Sequence, residues 1–356
     1  MNTRNIFTRS KLNPIISSKN TEWWKIYNPG AAIGEQGKIH LFPRVNKREV
    51  DWHSRIVHGV STDGENFLFD KEPVLTRSGA SEIRGLEDPR VTFVDSKYYM
   101  LFAAYDGKQV LLHSAVSNNL EGPWQRNGSM LPDFDFFKNG GKMVRWEHGK
   151  PVEKTSSTKG NIWTKSGALF PERINGKLSM IFGEYCMWFA SSQDGKKYEV
   201  EHEPIMTARK GTTYFDNTFI EMGPPPILTE KGWLVLYHGI DEAFRYQLGF
   251  AILDKADPKR IVFRSSEPIF SPQAEYEIGD SLIDVIDGGI DVMSKMTDEE
   301  LKEFYKKARN NNIIPQVVFC PGVIVKDNEL RIYYGAGDTT ICTATASLKA
   351  ILDIVP

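Results

Sequence analysis

Residues 85 to 90 read GLEDPR, which sets two adjacent carboxylates, Glu87 and Asp88, between a glycine and a Pro-Arg pair. Proline fixes φ and removes a backbone donor, so a carboxylate directly before it sits on a stiff stretch of main chain. Stiffly held acids suit proton transfer, and they also suit plain pairing with Arg90 or with backbone N–H groups. Two further acids stand in comparable settings: Glu184 in MIFGEYC and Glu221 in FIEMGPPPI. Around these three, Asp88, Glu184 and Glu221, the candidate polar partners are Asn28, Arg44, Arg55, Lys165, His238 and Asp338. Carboxylates accept hydroxyl protons, while Arg, Lys and Asn bridge neighbouring oxygens, so the set describes a pocket for a polyhydroxylated ligand. A solvated rim glutamate, a surface lysine and a satisfied core histidine are the bland alternatives for Glu184, Glu221, Lys165 and His238.

These residues are far apart in sequence, and a repeat is what brings them together. Segments starting at Tyr27, Leu86, Lys165, Met222 and Phe319 each show a small or proline-bearing start, an apolar strand, a polar turn and a second strand rich in β-branched and aromatic residues. That is one β-hairpin written five times. HGVSTDGENF, HSAVSNNLEGPW and FASSQDGKKYE add a further strand and a turn behind several of them. The predicted unit is a four-stranded antiparallel meander, and the predicted fold is all-β, a five-bladed β-propeller forming a single domain over 1–356. Two insertions interrupt it. Residues 132–163 are polar and turn-rich and read as a long loop over one face; residues 295–313 read as a helix with Thr297 as cap and Glu300 as its box partner. Rim decoration, a substrate lid and a homo-oligomer contact are the alternatives for both. In a propeller the first strands line a central channel and their starts cluster at one end, where the candidate acids would meet.

Composition excludes other classes. The 44 basic and 46 acidic residues are well mixed, so no basic stripe offers itself to nucleic acid. Three cysteines in no metal-type spacing read as core thiols, and no apolar run approaches a membrane span. A soluble, cytoplasmic protein without metal or cofactor is the expectation.

GLEDPR, ALFPERINGK, GPPPILTEKGWLVLYHG and YYGAGDT, taken in order, resemble glycoside hydrolase family 130, the β-mannoside phosphorylases and β-mannosidases with a five-bladed propeller, from about Tyr27 to the C-terminus. The resemblance implies that Asp88 is the general acid, passing its proton in the phosphorylases through a hydroxyl of the mannosyl unit. It also implies that Asn28, Arg44, Arg55 and Asp338 hold the mannose. The family's phosphorylases carry an Arg where this chain has Lys108, Gln109 and Val110, a His-Arg pair where it has Gly183 and Glu184, and Gly where Glu221 stands. Fewer cations and two added carboxylates should repel a phosphate dianion, since like charges about 4 Å apart cost on the order of 4 kcal/mol at an effective dielectric of 20. The expectation is therefore an inverting hydrolase of β-1,2-linked manno-oligosaccharides. Asp88 would be its acid, Glu221 or Glu184 its base, and roughly 6.5–9.5 Å would separate the carboxyls. A phosphorylase with inorganic phosphate as co-substrate is the alternative, to which Lys165 and His238 point. A non-catalytic carbohydrate-binding propeller is the third reading.

Overall fold

The computed structural model describes residues 5–47, 51–147, 150–156, 162–278, 297, 300 and 316–356. Among them the chain is all-β apart from 3-10 turns, Glu300 and one terminal helix, Leu348–Leu352. No helix among the described residues is long and apolar enough to cross a membrane.

Each predicted hairpin forms. Lys25–Ile33 pairs with Ile39–Lys47, Gly85–Val94 with Lys97–Tyr105, Ala168–Leu169 with Leu178–Phe182, Phe219–Met222 with Gly232–Ile240, and Gln316–Lys326 with Glu329–Ala336, all antiparallel. Several of the polar turns carry the left-handed residues that a tight hairpin needs: Asp95 and Ser96 (φ 51 and 58), Asn175 and Gly176 (φ 50 and 78), Asp327 and Asn328 (φ 48 and 66). Further strands extend the hairpins into meanders, such as Val110–Ser117 and Gln125–Ser129 behind the second. The fourth strand beside Thr340–Ser347 comes from the other end of the chain, Thr8–Arg9, with Thr8 opposite Thr345. Parallel bridges Ser54 to Gly85 and Arg245 to Gln316 join neighbouring meanders.

The inner strands share a local device. A register shift falls at Tyr27/Gly30, at Glu87/Arg90 and at Phe319/Gly322, and each of these bulges contains a proline: Pro29, Pro89 or Pro321. Asn28 (φ 47) and Asp88 (φ 49) are left-handed there, a conformation that Asn and Asp tolerate better than other non-glycine residues. The bulges then nest. A Cβ on Gly30 would lie 2.7 Å from the carbonyl oxygen of Pro89, and one on Gly322 would lie 2.6 Å from that of Pro29. Glycine is required at both because a neighbouring strand's backbone occupies the space. Starts more than 200 residues apart in sequence thus touch directly at the centre.

The insertion at 132–163 differs from the expected loop. Met143–Glu147 and Lys150–Lys154 pair as a hairpin. Phe134 and Phe136 are buried, with Phe134 edge-on to Phe182 (5.3 Å between ring centroids) and Phe136 against Trp188 (5.6 Å). The polar residues around these aromatics hid an anchor that belongs to the core. Of the predicted helix at 295–313, Thr297 and Glu300 are described and make the reciprocal capping bonds, Thr297 N–H to Glu300 Oε2 (2.7 Å) and Glu300 N–H to Thr297 Oγ1 (3.3 Å). The rest of it lies outside the described residues.

Gly30→Ala should cost about 1–3 kcal/mol of stability, because the obstructing atom is backbone and cannot rotate away. The midpoint of urea unfolding checks this, and an unchanged midpoint would mean that the bulges do not nest as described.

Candidate active site

The Glu87/Arg90 bulge turns the Asp88 side chain into a buried cluster, where the residue is 4% exposed. Its Oδ1 accepts from Asn28 Nδ2 (2.9 Å) and Arg44 Nη1 (3.3 Å). Arg44 spans both acids of the motif, since its Nη2 donates to Glu87 Oε1 at 2.7 Å, and its guanidinium lies over the Tyr27 ring (5.0 Å). The alternative of Glu87 or Asp88 pairing with Arg90 is not seen among the described residues. Arg90 is fully buried and donates only to carbonyls: Asp88 O (2.7 Å), Met222 O (2.8 Å) and Gly223 O (3.2 Å).

Opposite Asp88, three segments are stitched through their backbones. Gly183 N–H donates to Lys165 O (3.0 Å), Met222 N–H donates to Gly183 O (3.0 Å), and Glu184 bridges Glu221. Gly183 (φ 130), Tyr185 (φ 71) and Ser166 (φ 53) take the left-handed turns that bring Glu184 and Lys165 inward. The Lys165 ammonium is the hub: Nζ lies 3.3 Å from Glu221 Oε1, 3.9 Å from Asp88 Oδ2 and 4.0 Å from Glu184 Oε2. Ser166 Oγ donates to Glu221 Oε1 (2.5 Å), and Trp163 Nε1 donates to Glu184 Oε2 (2.7 Å).

The acids differ in charge because their surroundings differ. Burial pushes the Asp88 carboxyl up, but Arg44, Lys165, Arg90 and the Asn28 hydrogen bond outweigh it and hold Asp88 below the ordinary aspartate range. The raised pKa that direct proton donation by Asp88 would favour is therefore not found. Burial dominates at Glu221, and with the neighbouring Glu184 charge it lifts that carboxyl to about 8 despite Lys165 and Ser166. Lys165 loses stability as an ion through burial, yet Glu184, Glu221 and Asp88 hold its pKa well above the ordinary lysine value. The cluster thus combines a Glu221 that holds its proton to higher pH than an ordinary glutamate, an Asp88 that ionises readily, and a lysine that stays charged.

The other expected residues fall in three places. Asp338 sits in a left-handed turn (φ 52), and its charge reaches Arg44 and Tyr27, which puts it on the Arg44 side of the cluster. Arg55 stands opposite Val45 in the register, one residue out of phase with Arg44, which stands opposite Ile56; Arg55 Nη1 donates to His53 O (3.1 Å). His238 is the cross-strand neighbour of Glu221 but is fully buried. Its Nε2 accepts from Cys320 N–H (2.8 Å), its ring stacks on Phe319 (4.3 Å), and burial with nearby Arg90 lowers its pKa to about 3. It is a neutral core histidine. Sequence reasoning missed Ser166, Trp163 and the backbone role of Arg90. Only Ser166 carried a signal, as the residue after Lys165 at a strand start.

Comparison with known proteins identifies the family. Residues 3–293 match the family model of glycoside hydrolase family 130, described as beta-1,4-mannooligosaccharide phosphorylase. A 1,2-beta-oligomannan phosphorylase of Thermoanaerobacter sp. (strain X514) is 30% identical over 352 residues, covering 95% of this chain and 96% of that protein. A beta-1,2-mannobiose phosphorylase of the same organism is 31% identical over 359 residues, covering 97% and 98%. Among solved structures, the beta-1,2-mannobiose phosphorylase of Listeria innocua in complex with beta-1,2-mannobiose superposes with a TM-score of 0.74, at 23% identity and 99% coverage of both chains. That likeness concerns the fold.

The expectation of a hydrolase is overturned: the two relatives that are 30% and 31% identical over nearly the whole chain are named as phosphorylases of β-1,2-linked mannosides. The repulsion argument counted both added glutamates as fully ionised, whereas burial and the Glu184 charge raise the Glu221 carboxyl and the Lys165 ammonium lies 3.3 Å from Glu221 and 3.9 Å from Asp88.

Glu221 holds a proton in the folded protein at pH values where an unfolded glutamate has lost it. Its contribution to stability is therefore full below about 4.5 and is lost as pH rises toward about 8. The thermal midpoint of Glu221→Gln, measured from pH 5 to 8, should fall less with rising pH than that of the wild type. Parallel curves would show that Glu221 ionises normally.

Proposed function

Because the chain belongs to glycoside hydrolase family 130, we propose that it is a phosphorylase that cleaves β-1,2-linked manno-oligosaccharides with inorganic phosphate, giving mannose 1-phosphate and a shortened acceptor. The observation that carries this reading is the end-to-end similarity to two phosphorylases named for β-1,2-linked substrates. In the proposed reaction a phosphate oxygen forms a bond to the anomeric carbon, the bond to the leaving oxygen breaks, and that oxygen takes a proton.

Asn28, Arg44 and Asp338 are assigned to the mannosyl unit beside Asp88, with Arg55 as a further binding residue. Asp88, an anion among its own partners, accepts from a mannosyl hydroxyl first. A phosphate dianion brought nearby raises the proton affinity of that carboxylate, as any adjacent negative charge does. With phosphate bound, Asp88 takes up a proton from solvent and gives it to the mannosyl hydroxyl as that hydroxyl passes its own proton to the leaving oxygen; the proton of the attacking hydrogen phosphate is released to solvent afterwards, so the count balances. Lys165 is the cation for phosphate, and the protonated Glu221 is a hydrogen-bond donor to it; no carboxylate base is needed, so Glu184 and Glu221 orient Lys165. His238, neutral and buried, supports the wall behind Glu221.

The whole chain is read as a single catalytic domain, a five-bladed propeller. Support for this comes from the five hairpins, the nesting of their bulges and the strand Thr8–Arg9 that completes the last meander. Buried free thiols at Cys186, Cys320 and Cys342 suit a cytoplasmic enzyme.

Phosphorus NMR of β-1,2-mannobiose incubated with phosphate tests the reading. Mannose 1-phosphate should appear in proportion to phosphate, Asp88→Asn should lower kcat by about 10²–10⁴-fold, and Lys165→Met should raise KM for phosphate more than KM for mannobiose. Free mannose released equally fast without phosphate would overturn it.

A further inference from the structure

A second cavity, of about 410 Å³, lies outside the acid cluster and shares none of its residues. One wall, Thr213 to Asn217, runs directly into the strand that carries Glu221; another, Asp241 to Gln247, begins three residues after His238, the cross-strand partner of Glu221. Three residues of extended chain span about 10 Å. Both walls are thus joined by only three or four residues of chain to the positions of Glu221 and His238.

Its floor is fixed in place. Buried Asp241 accepts from the N–H groups of Ala243 and Arg245 (both 3.1 Å), from Arg245 Nε (2.7 Å) and from Gln247 Nε2 (3.2 Å), and Gln247 Oε1 accepts from Ser271 Oγ (3.0 Å). Its platform is Tyr214, 38% exposed, with the Arg209 guanidinium 3.9 Å from the ring centroid. Arg209 is in turn held by Asp216 Oδ1 at 2.7 Å, so one ring face is clamped. A tyrosine immobilised in this way offers apolar area at little cost in conformational entropy. The lining sets Asp241, Glu242, Glu267 and Arg245 beside Tyr214 and Phe215, so groups that can meet hydroxyls stand next to apolar area. A neutral ligand with an apolar face and many hydroxyls fits.

We propose that this cavity is a distal binding site for the β-mannan chain, engaging sugar units beyond those cleaved, with Tyr214 as its stacking platform. The proposal rests on the mannoside phosphorylase reading, and its test separates the two. Phosphorolysis of β-1,2-mannobiose and β-1,2-mannohexaose is measured for the wild type, Tyr214→Ala and Tyr214→Phe. Calorimetric titration of mannohexaose follows on Asp88→Asn and on Asp88→Asn with Tyr214→Ala. Tyr214→Ala should lower kcat/KM for the hexaose about 5-fold and weaken its binding similarly. The mannobiose kinetics should stay unchanged, and Tyr214→Phe, which keeps the ring, should restore the hexaose values. Equal effects on both substrates, or hexaose binding unaltered by Tyr214→Ala, would overturn the distal site. Tyr214-dependent binding in a protein that turns over neither sugar would sink the activity and keep the site. Absence of both would sink both.

Discussion

A buried guanidinium with no carboxylate among its described partners holds the centre together. Arg90 leaves water entirely, which costs several kcal/mol for an ion, and recovers that through carbonyls of two inner strands. Those carbonyls belong to Asp88 itself and to Met222 and Gly223, the residues just after Glu221. The acid on one strand and the acid on another are therefore registered through main chain, without depending on the rotamers of long side chains. Because Arg90 also faces the Phe319 ring at 5.4 Å, the same group reaches a third inner strand. The bulges at Asn28, Asp88 and Cys320 nest around this point, and their left-handed residues are tolerated because the neighbours leave them no other course.

Charge at the cluster is distributed by depth and by partner. Arg44 and Asn28 commit Asp88 to the ionised state, whereas Glu221, deeper and beside Glu184, keeps its proton. Lys165 balances what remains. A site that looks hostile to anions when its carboxylates are counted is close to neutral once burial is included. Formal composition of a pocket is thus a poor guide to its field where groups are fully desolvated, since desolvation and Coulomb terms of several kcal/mol compete.

Much of the fold was legible because hairpin periodicity and turn chemistry are local. DSK, INGK and KDNE announce turns by residue type alone, and strand order follows from them. Asp88, Asn28 and Lys165 were legible for a related reason: prolines and strand starts mark where a sheet's inner edge lies. The role of Arg90 was not legible, as its sequence neighbours are acids while its spatial partners are the Asp88 carbonyl and carbonyls about 130 residues away. His238 was read as open to either role, because nothing local says that Cys320 N–H will meet its ring. Phe134 and Phe136 were hidden by their polar context, and the protonation of Glu221 depends on a depth that no sequence window reports.

The strand Thr8–Arg9 pairs with Ala344 and Thr345, at the opposite end of the chain. During synthesis this segment leaves the ribosome long before its sheet partner is made. The intervening meanders can assemble in order as they emerge, each on its predecessor, but this seam stays open until Thr340–Ser347 has emerged as well. A contact of that sequence separation has a large loop-closure cost and forms late. Until then the edge of Thr340–Ser347 is exposed to pairing with any other strand in the cell. For this protein the hazard of misassembly is concentrated at one seam, in the interval between the emergence of its second strand and closure.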